Sequence, residues 1–461
     1  MEIISRCLCT IFKCQDNAPN TSIEQLDVLH KTEELQIKSW NPSDPFSVQT
    51  NACMHDLVSN KIREVPASAK AICSWDGSLT YMELDRLSDI AAGHLRFAGA
   101  RLGTYVPFAF EKSMWAVVAA LGILKAGAAF MPLNPLDPKM RLEQLVKAVG
   151  AKVVATSEAF EGLFSDSVDS VVVLSRDTTK MNQRIESGEC AANLETARKP
   201  CPEDPIFVLF TSGSTGTAKG MIHTHSAICT HALVHGQRMG YHCARVLQFA
   251  AHTFDVAIMD IFTTLLFGGC ICIPSEESRR GNIVEAIGCL RADYAILTPS
   301  FAGTLDPSDV PTLRTLAVGG EALPQERIQR WAEKVRLIQI YGPAEVGICL
   351  AMDMRASTRP ETVGQPLDNS SCWLVDPDCS EILVPIGAVG ELVVAGPSLA
   401  QGYLNDERRT SESFIHAPKW AHRYKLSFER FYMTGDLLRY NLDSLDGSFD
   451  FVGRKDIQIK L

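Results

Sequence analysis

The fifteen cysteines include no Cys-x-x-Cys pair, the charge has no basic excess, no apolar run is clean enough for a membrane, and no repeat or low-complexity tract occurs. Each absence removes a class of protein. The close pairs Cys7/Cys9 and Cys270/Cys272 have no matching His or Cys pair at metal-ligand spacing, so no zinc site is read from them. Several cysteines sit in apolar runs such as "GGCICIP", where a thiol behaves as a small hydrophobe, and a reduced, cytoplasmic protein is expected. With net charge −10 and pI about 5.6, the chain lacks the positive surface that binds nucleic acid by counterion release. The most membrane-like run, Met114 to Leu133, is interrupted by Lys125 and broken by Gly122, Gly127 and Pro132, so a buried helix entering a strand and a turn is expected there. The first twenty residues lack a basic stretch followed by a long apolar one, and no signal peptide is expected.

The 461 residues are 46% hydrophobic and 21% charged with mean hydropathy +0.03, ample material for large cores. That length fits roughly two to four domains or subdomains. Residues 1–38 are weakly patterned and read as an N-terminal connector with a short helix. From 39 to 365, continuous apolar runs such as "YVPFAF", "AKVVAT", "IFVLF", "YAILTP" and "LIQIYG" alternate with helical stretches such as "MRLEQLVKAVG". Unbroken apolar strands separated by helices indicate an α/β fold with buried, mostly parallel sheets. From 366 to 455 short strands with turn residues dominate, which predicts a small β-rich subdomain, a distorted barrel.

The run Ile206–Phe210 leads into "TSGSTGTAKG", rich in glycine and hydroxyls and holding one lysine. Glycines let the backbone approach a bulky anion, while hydroxyls, amides and Lys219 supply donors and charge for phosphate oxygens. A Walker A loop is excluded, because Lys219 is followed by Gly220 and the Gly213–Gly216 spacing is wrong. Downstream, Glu345 follows a Gly-Pro turn in "YGPAE", where a carboxylate beside a triphosphate is a natural Mg2+ ligand.

The loop resembles the phosphate-binding signature of the adenylate-forming superfamily, which comprises acyl-CoA synthetases, luciferases and the adenylation domains of nonribosomal peptide synthetases. Further stretches are similar to that family's motifs in the right order: "LTYMELDRLSDIAAGHL", "LKAGAAFMPLNP", "FDVAIMDIF", "YGPAE", "GELVVAGPSLAQGYLN", "YMTGD" and "GRKDIQIK". The resemblance covers roughly residues 45–461 and is closest to the peptide-synthetase adenylation domains, here of fungal character. It implies a large N-terminal core of two αβα-type subdomains with mixed or parallel sheets plus the distorted barrel. By the same resemblance, Thr211, Ser212, Gly213, Ser214, Thr215 and Gly216 hold the ATP phosphates, with Lys219 and Glu345 catalytic and Glu345 the Mg2+ ligand. Gly320, Glu321, Gln339 and Tyr341 line the adenine site, Asp436 takes the ribose hydroxyls, Arg454 contacts ribose, and Asp456 is the hinge, with residues 456–461 beginning a C-terminal subdomain that is otherwise absent. Two departures stand out: Ala218 replaces a usual proline, and Ala344 replaces a threonine found in many members.

Asp255 lies between Phe254 and Val256, where a carboxylate must be paired; its bland reading is a helix N-cap. In peptide-synthetase members the matching aspartate binds the substrate α-ammonium group, which favours an amino acid. The specificity positions carried over are Asp255, Val256, Met259, Asp293, Ala317, Gly319, Ile340, Ile348 and Cys349. Ala317 and Gly319 imply a roomy pocket and Asp293 a polar far end, hence a long polar substrate such as ornithine, lysine or an ornithine-derived hydroxamate of siderophore pathways. The expected reaction is aminoacyl-AMP formation from ATP and Mg2+, then loading onto the phosphopantetheine of a carrier domain, with condensation domains as further partners. A family lysine beyond the hinge has no counterpart here, so weak activity of this chain, monomeric as a fragment, is expected. An acyl- or aryl-CoA ligase and a non-catalytic nucleotide- or amino-acid-binding module are the competing readings.

Overall fold

Strands that are apolar at every position cannot face water on either side. Ala129–Leu133, Val153–Thr156, Cys270–Ile273 and Tyr294–Leu297 are buried throughout, and each lies inside a sheet covered by helices. The computed structural model describes residues 29–42, 44–176, 199–211, 219–426 and 428–455. These form an α/β architecture of two mixed sheets, one of seven strands and one of fifteen.

In the smaller sheet, Tyr105–Ala109, Ala129–Leu133, Val153–Thr156, Ser170–Val173 and Pro205–Thr211 run parallel, and Lys219–Thr224 and Gly402–Tyr403 add antiparallel at one edge. The helix Met114–Lys125 is buried at every residue except its last, and Lys125 ends it on Asp85 at 2.5 Å and Asp89 at 2.8 Å. Its apolar surface is thereby used inside the fold, as expected from its interruptions. No helix among the described residues is long and apolar enough to cross a membrane.

In the larger sheet, Arg245–Leu247, Tyr294–Leu297, Thr315–Gly319 and Arg336–Tyr341 are parallel neighbours, with Cys270–Ile273 and Lys70–Ser74 continuing the parallel set. Beyond Arg336–Tyr341 the sheet turns antiparallel and extends through Leu350–Asp353, Thr362–Pro366, Phe449–Arg454, Arg430–Tyr440, Gly390–Ala395, Ser371–Asp376 and Cys379–Leu383. The β-rich segment expected after residue 365 is therefore present, but it is an open arm of the main sheet and not a closed barrel. In Arg430–Tyr440 every second residue from Tyr432 to Tyr440 is buried, so the two-residue period turns Tyr432, Thr434 and Asp436 inward.

The described part of the N-terminal segment is folded onto this arm. The helix Lys31–Trp40 starts with a capping box between His30 and Glu33. Lys38 Nζ donates to Tyr424 O at 3.1 Å, Cys372 N donates to Asn41 Oδ1 at 2.6 Å, and the Trp40 ring lies 5.3 Å from that of Tyr440.

Candidate functional site

Parallel α/β sheets present their sites at the carboxyl ends of the strands, where loops leave the layer. Thr211, Gly319 and Tyr341 are such C-terminal strand residues. Thr211 also faces Lys219 in antiparallel register. Ser212, Gly213, Ser214, Thr215 and Gly216, with Ala218, lie outside the described residues, as does Asp456; their flanks, Thr211 and Lys219, are within them.

Lys219 and Glu345, remote in sequence, meet on one tyrosine. Lys219 Nζ stands 5.8 Å from the Tyr403 ring centroid, and Tyr403 Oη donates to Glu345 Oε1 at 2.8 Å. Tyr403 reaches this place because its short strand pairs with Met221, just after the lysine. Burial together with the Glu345 carboxylate raises the Tyr403 phenol, so it stays a donor at neutral pH. A half-buried carboxylate oriented by one phenol fits a divalent cation.

A second constellation spans the junction of the parallel sheet and the arm. Tyr341 Oη donates to Asp436 Oδ2 at 2.5 Å, and Arg454 Nη1 donates to Asp436 Oδ1 at 2.8 Å. Asp436 and Arg454 are direct cross-strand partners, which fixes the pair. Burial and the Asp436 charge push the Tyr341 phenol well up. Two residues before Tyr341, on the same strand, Gln339 is buried with Nε2 donating to Ile340 O at 3.3 Å. Its Oε1 has no hydrogen-bond partner among the described residues, an acceptor free for a ligand N–H. Gly320 and Glu321 follow the neighbouring strand, both exposed; Glu321 Oε2 accepts from Ser300 N at 3.1 Å.

A small cavity lies next to the Glu345 turn, and Asp255, Met259, Ala344 and Gly347 contribute to its wall. Asp255 opens the helix Asp255–Leu266, whose cap at Phe254 makes no side-chain hydrogen bond; Asp255 Oδ1 accepts from the adjacent Val256 N at 2.8 Å. The N-cap reading is thus not what the structure shows: Asp255 sits one residue inside the helix. Val256, Ile340, Ile348 and Cys349 pack into the surrounding core. Ala317 is fully buried in register between Ile296 and Ile338. Gly319 does not open space: a Cβ there would lie 2.6 Å from both Ile340 Cγ1 and Ile340 O, so the glycine serves close strand contact.

Asp293 does not join this group. It precedes the strand Tyr294–Leu297, at the end of the sheet opposite to Gly319 and Tyr341. Its Oδ1 accepts from Arg245 N at 2.7 Å, a bond that ties two strand starts together. The polar far end expected from Asp293 is absent from the cavity for that reason.

Three histidines that sequence reasoning passed over build the cavity's other side: His223, His231 and His235. His223 Nε2 lies 2.9 Å from Ala344 O, and Ile348 N donates to His231 Nε2 at 2.8 Å. These two bonds pin both ends of the Ala344–Ile348 turn, inside which Gly347 has φ +76° and a Cβ would meet the His231 ring at 2.7 Å. His235 lies 2.7 Å from His231 O through Nδ1 and 2.9 Å from Thr263 Oγ1 through Nε2. Burial lowers all three, His223 and His235 to about 4 and His231 well below its usual value. The stretch "HTHSAICTHALVHG" carried the signal, since His231 and His235 are four apart on one helix face.

The profile of the AMP-binding enzyme family matches residues 60–404. A nonribosomal peptide synthetase-like enzyme, fsqF of Aspergillus fumigatus, is 46% identical over 96% of this chain and 31% of its own length. The N-benzoylphenylalaninol synthetase apmA of Penicillium brevicompactum is 40% identical over 94% of this chain and 18% of its own length. The chain thus spans less than a third of each of these fungal relatives. Among solved structures, the nonribosomal peptide synthetase FmoA3 in its α-methyl-L-serine-AMP bound form aligns over 98% of this chain and 50% of that one, with TM-score 0.79 and 25% identity. With an α/β core of mixed sheets that this peptide-synthetase structure shares, and a profile match over most of its length, the chain belongs to the AMP-binding enzymes, a family of adenylating ligases.

Proposed function

We propose that this chain activates an α-amino acid as its aminoacyl-AMP. The substrate carboxylate attacks the α-phosphorus of ATP, the bond to the bridging oxygen breaks, and pyrophosphate leaves. Asp255 carries the proposal, because it puts a carboxylate on the wall of the cavity beside the Glu345 turn, where it pairs with the substrate ammonium group. Gln339 Oε1 accepts from the adenine amino group, Asp436 takes the ribose hydroxyls, and Arg454 and Tyr341 hold Asp436 in place. Thr211 to Gly216 donate to the phosphates and Lys219 offsets their charge. Glu345 would hold Mg2+, which supplies further charge neutralisation when bound.

The product is then loaded onto a carrier-domain phosphopantetheine, with condensation domains beside it, a reading that the similarity to peptide synthetases supports. The cysteines among the described residues are unpaired, in keeping with a reducing cytoplasm. The siderophore-type reading rested on Asp293, and its place at the opposite sheet end removes that support. An acyl-CoA ligase has no need of Asp255. A non-catalytic binding module has no need of Lys219, Glu345, Asp436 and Arg454 together. Pyrophosphate exchange into ATP is the test: dependence on at least one amino acid upholds the proposal, and dependence only on acids lacking an amine overturns it.

A further inference from the structure

Resting on the amino-acid reading above, we propose that His223 is a specificity residue, whose Nδ1 accepts a hydrogen bond from a hydroxyl or N–H on the substrate side chain. His223 stands on the strand Lys219–Thr224, four residues past the lysine, and lines the same cavity as Asp255 and Met259. Its tautomer is fixed by its partner. Ala344 O can only accept, so Nε2 carries the proton and Nδ1 of the neutral ring is left as a lone pair. Burial holds the ring neutral, with its pKa lowered to about 4.

That lone pair has no hydrogen-bond partner among the described residues, although the side chain is only 2% exposed. The neighbouring imidazole of His235 is satisfied at both nitrogens, and His231 Nε2 is taken by Ile348 N. Phe207, Ile258 and Phe262 supply apolar wall. One unsatisfied acceptor in such a lining discriminates strongly, since a substrate lacking the donor leaves it buried and unpaired.

The experiment measures kcat/KM for pyrophosphate exchange with pairs of amino acids that differ by one donor: serine and alanine, threonine and 2-aminobutyrate, tyrosine and phenylalanine. In at least one pair the donor-bearing member is expected to lead by roughly 10- to 100-fold. His223→Leu, which keeps the bulk but removes both the acceptor and the donor to Ala344 O, is expected to slow exchange with both members and to bring their ratio near unity. His223→Asn, which restores an acceptor, is expected to recover part of the ratio. Equal rates within every pair, or a ratio unchanged in His223→Leu, overturn the proposal and leave a water on Nδ1 with the amino-acid reading intact. Exchange with no amino acid at all overturns both.

Discussion

Replacing Asp436 by alanine removes one acceptor from two donors at once. The carboxylate is fully buried and receives Tyr341 Oη at 2.5 Å and Arg454 Nη1 at 2.8 Å. Breaking a buried ion pair from one side costs roughly 3–5 kcal/mol, because the partner charge is left behind. Arg454 keeps 20% of its side chain exposed and still donates to Thr434 O at 3.1 Å, which places the cost near the lower end, about 3 kcal/mol. At about 2 °C per kcal/mol for a chain larger than the usual domain, the melting temperature falls by about 6 °C. With Asp436 in its proposed role at the ribose hydroxyls, the same change is expected to weaken ATP binding by roughly 10- to 100-fold. Tyr341→Phe separates the two effects: it deletes one donor, leaves the Asp436–Arg454 pair, and is expected to lower ATP affinity less than the alanine variant. Calorimetric melting and ATP titration of the three proteins provide the readout. An Asp436→Ala protein that melts within a degree of the parent and binds ATP equally well would refute the reasoning.

Four buried histidines make stability acid-sensitive. His223, His225, His235 and His252 are lowered to about 4, 3, 4 and 3 by burial, so below pH 6.5 the unfolded chain takes up protons that the folded one refuses. Their stabilisation is complete above about pH 7.5 and drains as pH falls through 6.5 toward 4, at up to roughly 1.4 kcal/mol per unit for each group. Urea melts at pH 8.5, 7.5 and 5.5 are expected to superpose for the first two and shift sharply for the third; three equal midpoints contradict the burial of these rings. Gly347→Ala forces a side chain into a left-handed residue and against the His231 ring, and is expected to cost roughly 1–3 kcal/mol and most of the exchange activity. Unchanged melting and exchange in that variant mean that the turn is not held as described.

The parallel strands were legible because their runs are apolar at every position, and the inward placement of Asp436 follows from alternation along "FYMTGDLLRY". Pairing over long sequence distance was not. Whether the last strands close on themselves or extend an existing sheet depends on which edge Thr362–Pro366 finds, and it finds both Leu350–Asp353 and Phe449–Arg454. Asp293 was misplaced by position in a motif series, although its place just before "YAIL" puts it at a strand start, away from the carboxyl ends where parallel sheets bind ligands. The histidines were visible as a spacing, but their neutrality and their hold on the Ala344–Ile348 turn arise only when the strand Lys219–Thr224 and the helix His225–Met239 are buried beside that turn. Gly319 looked like empty space because a missing side chain says nothing about which neighbour fills the gap.

The central claim is that Asp255 selects a substrate with an α-amine. Its most direct test is kcat/KM for pyrophosphate exchange with the best amino acid and with its des-amino analogue, in the parent chain and in Asp255→Ala. Losing a charge-assisted contact is worth roughly 1.5–3 kcal/mol, so the parent is expected to favour the amine by about 10- to 100-fold. Asp255→Ala is expected to lose that preference while retaining exchange with the des-amino acid. A parent that uses both acids equally, or a variant that keeps the full preference for the amine, contradicts the account.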